Sequence, residues 1–233
     1  MIWFNGINIQ NVAHVRIEDI RVSGISFSAV ARANAIAPGS VFVRNRGAQR
    51  TVSVTFALLE QDIGRRQSAL SAINHWAKSD KEYELEVAGH PNQYLMAVCT
   101  SKPEPSLRQW WESKLRITFT CITDPYWIDK VPSSIPCGSP FSVLGDAEPI
   151  MQIERTLVED VSDQSYVLDN DATMTFSTIP EGDMIIDLNH QTAEVDGVSI
   201  MQYYSPASTF LPPCLGSHTI TGNGTIKFRQ RWA

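Results

Sequence analysis

The segment from Leu115 to Asp129 constrains the fold most, because its first half alternates strictly between apolar and polar residues. The apolar phase contains Leu115, Ile117, Phe119 and Cys121. A period of two places successive side chains on opposite faces of a β-strand. Pro125 has no backbone N–H to donate, and it disfavours helical geometry at Asp124. The segment therefore predicts a half-buried strand that ends at Asp124, with Tyr126 and Trp127 just beyond it.

A run of prolines after this strand predicts a domain boundary. Residues 131–149 contain Pro132, Pro136, Pro140 and Pro149. A chain of 233 residues is long enough for two ordinary domains of ~100–150 residues each. We predict a first domain over residues 1–130, a Pro-rich linker over 131–149 and a second domain over 150–233. The domain junction is placed at Asp124, Pro125, Tyr126 and Trp127.

The first domain is predicted to be mainly β with one α-helix. Thr51–Leu59 alternates as a strand does, and further strands are expected at Glu82–Val87 and Tyr94–Cys99. Between them, Asp62 suits a helix N-cap, whose carboxylate accepts the unpaired N–H groups of the first turn. Ile63, Leu70, Ile73 and Ala77 follow at helical spacing, with Trp76 beside them. The helix is predicted over about 62–78.

An earlier strand region changes phase partway along. Val15 and Ile17 share one phase, whereas Ile20 and Val22 share the other. An extra residue in one strand shifts every later side chain to the opposite face. The pattern predicts either a β-bulge near Asp19 or two short strands.

The segment Ala29–Arg50 is predicted to be a long excursion that doubles back on itself. It is rich in small residues, it has Pro38 and Gly39 near its middle, and it carries Arg44, Arg46 and Arg50. A long, weakly hydrophobic hairpin is unstable alone and usually lies on another surface. Two interpretations stay open: an inter-subunit loop that lies on a neighbouring copy, and a mobile surface loop.

The second domain is predicted to be an antiparallel β-sandwich. Strands are expected at Ile150–Leu157, Thr173–Thr178, Asp183–Leu188, Gln191–Val195, His218–Thr221 and Thr225–Trp232. Asp196-Gly197 and Asn223-Gly224 are dipeptides typical of tight hairpin turns. Short strands at close spacing, with no helix between them, indicate a sandwich.

Charge is distributed unevenly between these parts. Residues 1–130 carry 15 Lys and Arg against 12 Asp and Glu, whereas residues 131–233 carry 4 against 13. An acidic domain is poorly suited to binding phosphates, which are held mainly by Lys and Arg. We expect no specific nucleic-acid binding, and the simplest interpretation of the acidity is a soluble surface.

The sequence gives little support for catalysis or for a metal site. The five histidines show no H-x-H or H-E-x-x-H spacing, and the four cysteines form no C-x-x-C pair. Asp183 and Asp187 would lie about 13 Å apart along one strand, too far for a glycosidase pair. We therefore expect no enzyme activity, no catalytic residues, no cofactor, no metal and four free thiols. The aromatic pairs Trp110-Trp111, Tyr126-Trp127 and Tyr203-Tyr204 suit core or interface packing better than sugar stacking.

The order of these features resembles the distal tail protein (Dit) family of long-tailed siphophages. The first domain carries R-T-V-S-V-T-F-A-L-L, a helix, E-Y-E-L-E-V, and a strand that ends in D-P-Y-W. The second carries P-I-M-Q-I-E, then G-D-M-I-I-D-L-N-H-Q-T-A-E-V-D-G, and a terminal F-R-Q-R-W. Leu211–His218 departs from the pattern, since the family often has a Pro-Gly-Asn turn there.

The resemblance implies a virion structural protein of the phage tail tip. Its amino-terminal domain would form a hexameric ring, and its carboxy-terminal domain would be a galectin-like sandwich. The ring would connect the tail tube protein to the baseplate hub or fibre protein and to receptor-binding proteins, and DNA would pass through its lumen. The alternative function is a carbohydrate-binding module that contacts the host cell surface.

The sequence also bears on where the protein is made. The amino terminus M-I-W-F-N-G lacks the basic and long apolar regions of a secretory signal, and no apolar run approaches the ~20 residues of a membrane span. We therefore expect synthesis in the cytoplasm and no membrane insertion, and the resemblance implies a final location in the virion.

Overall fold

A computed structural model describes residues 1–33, 40–60, 62–101, 104–109, 112–169 and 171–233. For residues 27–33, 40–48, 104–109 and 112–113 it describes the backbone only. The chain divides into two compact units, Met1–Trp127 together with Ala233, and Ile128–Trp232. The architecture is mainly β, as the sequence predicts.

The first unit contains, in chain order, β1 (Ile2–Phe4), β2 (Ile7–Asn8), α1 (Ile9–Val12), β3 (Val15–Val22), β4 (Ser26–Ala33), β5 (Ser40–Leu58), α2 (Ile63–Ala77), β6 (Tyr83–Val87), β7 (Gln93–Cys99), β8 (Glu104–Gln109) and β9 (Glu112–Cys121). Within it, neighbouring strands pair in the order β2, β1, β6, β7, β9, β5 and β3, all antiparallel. The long β5 pairs with β4 along its first half and lies between β3 and β9 along its second.

The alternation in β9 has the predicted result. Its apolar residues Leu115, Ile117, Phe119 and Cys121 are fully buried, as are Val52, Val54, Phe56 and Leu58 of the neighbouring β5. An aromatic cluster extends this core: the Phe4 ring lies 4.9 Å from Phe119, and the Trp76 ring lies 5.9 Å from both. The Trp76 indole N–H donates to the carbonyl of Ile7 at 2.9 Å, so its polar atom is satisfied.

Helix α2 begins where the sequence predicts. Asp62 is its N-cap, and the carboxylate accepts the Arg65 backbone N–H at 2.8 Å. The face of the helix differs from the prediction, however. Trp76 is buried together with Ile73 and Ala77, whereas Ile63 is 73% exposed. Ile63 is the first residue of the helix, and it does not belong to the buried core.

The phase change in β3 is a β-bulge. The register of β3 on β5 shifts between Ile17 and Asp19, so Val15 and Ile17 pair in one register while Ile20 and Val22 pair in the next. The bulge near Asp19 is therefore confirmed, and the alternative of two separate short strands is not what the chain adopts.

The second unit follows a short strand, β10 (Trp127–Asp129), which spans the division. Its later elements are β11 (Ser133–Pro136), β12 (Pro140–Val143), β13 (Ala147–Leu157), β14 (Val161–Leu168), β15 (Ala172–Ile179), β16 (Gly182–Asp187), β17 (Thr192–Val195), β18 (Val198–Ser199), a 3₁₀ turn (Met201–Tyr203), β19 (Gly216–Thr221) and β20 (Thr225–Trp232).

These strands form a sandwich of two sheets. One sheet runs β18, β17, β16, β13 and β20, with β11 also paired to β20, and the other runs β12, β19, β14 and β15. A single apolar cluster lies between them, with Met151, Ile153, Phe176 and Ile226 among its fully buried members. The predicted antiparallel sandwich is thus present in the structure.

The structure differs from the prediction of a linker over 131–149. That segment contains β11, β12 and the start of β13, which pair with β20, β19 and β20 respectively. Phe141 and Val143 of β12 belong to the buried core. Proline is compatible with short edge strands, because an outward-facing position needs no N–H donor. Pro136 and Pro140 lie in the edge strands β11 and β12 of the second unit, whereas Pro149 lies where the register of β13 on β20 shifts.

The two predicted hairpin dipeptides have different outcomes. Asp196 and Gly197 both have positive φ, 49° and 78°, and they join the antiparallel pair β17–β18, as predicted. The hairpin prediction at Asn223-Gly224 is wrong, because this segment connects β19 in one sheet to β20 in the other. Positive φ falls there at Gly222 and Gly224, so the pair does not adopt the tight-turn geometry.

Candidate assembly surface

The predicted inter-subunit loop is a two-stranded ribbon in its described part. Ser26–Ala33 pairs with residues 40–49 of β5, in a register that sets Ser28 opposite Arg46 and Val30 opposite Arg44. Pro38 and Gly39 lie outside the described residues. The backbone is therefore a paired hairpin and not an irregular loop, in agreement with the predicted excursion that doubles back.

Pairing between described strands joins the ribbon to the rest of the first unit through β5 alone. Among the described strands, β4 pairs with β5 and with no other strand, while β5 continues past Arg50 into its pairing with β3 and β9. Residues 26–49 contain Arg32, Arg44 and Arg46 and no acidic residue. The first unit thus presents a basic ribbon whose outer backbone edge is unpaired along β4.

Arg50 lies in a different environment from Arg44 and Arg46. It is opposite Cys121 at the start of the pairing between β5 and β9, and the residue is only 4% exposed. Its guanidinium carbon lies 5.7 Å from the centre of the Trp127 ring, a cation–π contact. Its Nε and Nη1 atoms are buried without a hydrogen-bond acceptor. Arg50 is therefore placed in the interior, which does not suit the predicted contact with a neighbouring copy.

The electrostatics around Arg50 reflect this burial. Loss of hydration lowers the pKa of its guanidinium below the ordinary value, and the neighbouring Cys121 thiol and Tyr126 hydroxyl oppose that shift. Burial also raises the pKa of the Cys121 thiol to about 12, with a partial opposing effect of Arg50. Cys121 is therefore an unreactive core thiol, and all four cysteines are free, as predicted.

The segment predicted as a domain junction is held by contacts within the first unit. The Asp124 carboxylate accepts the backbone N–H of Tyr126 at 3.1 Å, which closes a local turn, and Pro125 is buried. Trp127 is 3% exposed, and its ring stacks on the His90 ring with a centre-to-centre distance of 3.8 Å and an interplanar angle of 13°. The indole therefore contacts both His90 and Arg50.

A carboxylate that the sequence analysis did not single out fixes the turn before this junction. Glu82 Oε1 accepts the backbone N–H groups of Ile122 and Thr123 at 2.7 and 3.0 Å. These hydrogen bonds to the charged form hold the pKa of Glu82 below its ordinary value despite the opposing effect of burial, the largest single contribution. The alternation E-Y-E-L-E-V identifies Glu82 only as an outward residue, so the sequence offered no signal for this role.

The outer face of β3, β5 and β9 is polar and internally paired. Glu18 accepts from Lys114 at 2.7 Å and lies 3.6 Å from Arg16, and Arg116 donates to the Ser53 hydroxyl at 3.2 Å. The hydrogen bond from Lys114 is the main cause that lowers the pKa of the Glu18 carboxyl. Exposed ion pairs contribute little to stability. The polar pairs on this face therefore have the character of a protein surface and not of a buried core.

The carboxylates considered as a glycosidase pair are engaged separately. Asp183 accepts the Thr156 hydroxyl at 2.7 Å, while Asp187 accepts the backbone N–H groups of Asn189 and His190, both at 2.9 Å. Within the described ranges, no group of three metal-ligating side chains converges. In the same part of the chain, no helix is long and apolar enough to cross a membrane.

The aromatic pairs that the structure describes are used for packing. Tyr204 packs on Phe176 and Phe210, with ring centres 5.8 and 5.7 Å away, and its hydroxyl donates to the carbonyl of Ser208. Trp127 is buried as described above, and Trp110-Trp111 lies outside the described residues. These contacts agree with the core interpretation of Tyr203-Tyr204 and Tyr126-Trp127.

Comparisons with known proteins place this fold. No family model matches the sequence, and no curated protein matches it. A solved structure, the crystal structure of phage SPP1 Dit, described as a paradigm of hub adsorption apparatus in Gram-positive infecting phages, superposes with a TM-score of 0.79. The alignment covers 100% of this chain and 98% of that chain at 15% identity.

A component of the phage p2 baseplate, in its activated conformation with Ca, is also similar. It aligns with a TM-score of 0.50 at 10% identity, over 97% of this chain and 93% of that one. At these identities the likeness establishes the fold, and the fold is that of Dit proteins.

Proposed function

We propose that this protein is a non-enzymatic structural hub of a long, non-contractile phage tail tip. The observation that carries the proposal is the match to SPP1 Dit over essentially the whole of both chains, with a TM-score of 0.79. A local match would be compatible with one shared sandwich domain. A match across both units supports a shared role for the whole molecule.

In the proposed function, six copies form a ring through their first units. The ring connects the tail tube protein to a hub or fibre protein and to receptor-binding proteins, and DNA passes through its lumen. The ribbon of β4 and β5 supports ring formation, because a strand edge without a pairing partner among the described strands is suited to a contact between chains. The ribbon contains arginines and no acidic residue, whereas residues 131–233 of every copy are strongly acidic, so opposite charges are available for a contact between copies.

The first experiment is the solution mass of the protein across a concentration series, by light scattering after size exclusion. We expect a species of six copies of the 26.0 kDa chain. The double variant Arg44→Glu/Arg46→Glu should shift the mass toward the monomer at the same concentration, with unchanged circular dichroism. Arg65→Glu is the control, since Arg65 is an exposed arginine on α2 and is not part of the ribbon.

Two results would contradict the proposal at different levels. A hexamer that the double variant leaves intact would remove the ribbon from the interface but keep the hub function. A chain that stays monomeric at all concentrations and binds cell-wall glycan would instead support the carbohydrate-binding alternative. Glycan binding is therefore measured on the same full-length preparation.

A further inference from the structure

The ring of His218 lies between two hydrogen-bond acceptors in the second unit. Its Nδ1 is 2.5 Å from Asp169 Oδ2, and its Nε2 is 2.7 Å from the backbone carbonyl oxygen of Leu215. A carbonyl oxygen and an ionised carboxylate can only accept. A neutral imidazole has one N–H, so it would leave one nitrogen lone pair facing an acceptor. Both contacts are favourable only when both ring nitrogens carry protons.

The two acceptors belong to segments that are distant in sequence. Asp169 follows β14, and its other oxygen accepts the Thr219 backbone N–H at 2.7 Å. Leu215 ends the loop that leads into β19, which we define as the clamp loop, residues 212–215. The clamp loop follows Leu211, which is fully buried, and contains Pro212 and Pro213, which have no backbone N–H to donate. His218 thus links the carboxy-terminal end of this loop to the turn after β14.

We propose that protonated His218 is a clamp that holds the clamp loop against the turn after β14, and that loss of its proton releases this loop. Leu211 anchors the other end of the loop in the core. Release is therefore local, and the sandwich itself stays folded. Leu215, already 44% exposed, and Cys214, which is half-buried, are the residues that gain freedom.

The surroundings of His218 agree with a charged ring. Facing it are the Asp169 carboxylate, the Leu215 carbonyl and the Phe141 ring, whose centre is 6.2 Å away. The Cys214 thiol lies within the electrostatic field of Asp169. The hydrogen bond to Asp169 is the main cause that raises the pKa of His218, and the same contact lowers the pKa of Asp169. The pKa of His218 is higher when the clamp loop is closed than when it is open. The closed loop is therefore fully stabilised below about pH 6.5, and this stabilisation is lost as the pH rises through the pKa of His218 in the closed state.

Alkylation of Cys214 tests the clamp in the full-length protein. Cys137 is the internal control, because it lies in the same unit and burial raises the pKa of both thiols to about 11. The ratio of the two alkylation rates, measured by mass spectrometry, therefore cancels most of the ordinary effect of pH on thiols. We expect this ratio to rise with pH, with a midpoint at the His218 pKa measured by NMR on the same protein.

The amplitude of the rise is set by linkage. Each unit by which the measured His218 pKa exceeds about 6.5 corresponds to a tenfold change in the opening equilibrium of the loop. In His218→Gln the ratio should be high and independent of pH. In Asp169→Asn both the His218 pKa and the midpoint should move to lower pH together, which keeps the test decisive if His218→Gln folds poorly.

His190→Gln is the matched control for replacing a histidine of the same unit. His190 is paired with Asp187 through Nδ1 at 2.8 Å, and its side chain is 79% exposed. The His190→Gln variant should keep the wild-type dependence of the alkylation-rate ratio on pH. The proposed clamp would be refuted by an alkylation-rate ratio that does not change with pH in the wild type. It would also be refuted by a ratio that rises with pH to the same extent in His218→Gln. The proposal does not depend on the hub function, since all of these readouts are made on one chain.

Discussion

Arg50 places a guanidinium over the Trp127 indole in the interior of the first unit, with two nitrogens lacking an acceptor. A buried charge that is not fully hydrogen-bonded loses favourable hydration free energy without complete compensation. The cation–π contact offsets ~0.5–2 kcal/mol of this cost. The methylene groups of Arg50 still fill space beside Trp127. We therefore infer that the volume of this side chain matters more to stability than its charge.

This inference predicts unequal effects of two substitutions. Arg50→Met keeps most of the volume and removes the charge, so the free energy of unfolding should stay within about 1 kcal/mol of the wild-type value or increase. Trp127→Ala removes a large buried ring and should lower it by about 3–5 kcal/mol. Urea denaturation followed by circular dichroism measures both. A loss of more than about 2 kcal/mol in Arg50→Met would show that the charge itself stabilises the unit.

At the level of elements, the connection from β19 to β20, which joins the two sheets of the second unit, is closely packed. Tyr166 is fully buried, and its hydroxyl donates to the carbonyl of Asn223 at 3.0 Å. Gly222 has φ of +141°, and a Cβ added there would lie 2.5 Å from the Tyr166 ring. The crossover thus needs a glycine both for its backbone conformation and for the approach of the tyrosine.

Gly222→Ala should therefore lower the free energy of unfolding by several kcal/mol, on the order of 3, since left-handed strain and a ring clash both contribute. Gly197→Ala is the control: Gly197 has φ of +78° but nothing within 4 Å of an added Cβ, so the loss should be about 1–2 kcal/mol. Thermal and urea unfolding of both variants give the comparison. Equal losses would mean that the Tyr166 ring moves aside freely.

At the level of the whole molecule, the boundary between the units decides which fragments fold. The second unit begins at Ile128 and includes β11 and β12, and Phe141 and Val143 of β12 lie in its core. Burial of two such side chains contributes roughly 3–6 kcal/mol, similar to the net stability of many domains. A fragment that begins at residue 150 lacks them.

We predict that a fragment of residues 128–232 unfolds cooperatively and gives dispersed NMR signals, whereas residues 150–232 give neither. Proton NMR and thermal unfolding of the two fragments at equal concentration test this prediction. If the shorter fragment folds equally well, β11 and β12 are dispensable, and the linker prediction for residues 131–149 regains support. Any glycan-binding assay on the second unit alone should start from the longer fragment.

Features that depend on neighbouring residues could be predicted from the amino-acid sequence alone. The alternation in Leu115–Cys121 sets which side chains are buried, because the period of a strand is fixed at two. Asp62 starts the helix, and the bulge near Asp19 follows from the change of phase. The overall resemblance of motifs was also sufficient to predict a mainly β, Dit-like fold.

Contacts between segments that are distant in sequence could be seen only in the three-dimensional fold. Asn223-Gly224 has the composition of a hairpin turn, but the pairing partners of β19 and β20 lie in different sheets. Arg50 shares its residue type with Arg44 and Arg46, yet the approach of Trp127 places it in the interior. His218 meets Asp169 across 49 residues. Such contacts depend on how strands pair across the whole chain, and local sequence patterns do not encode that pairing.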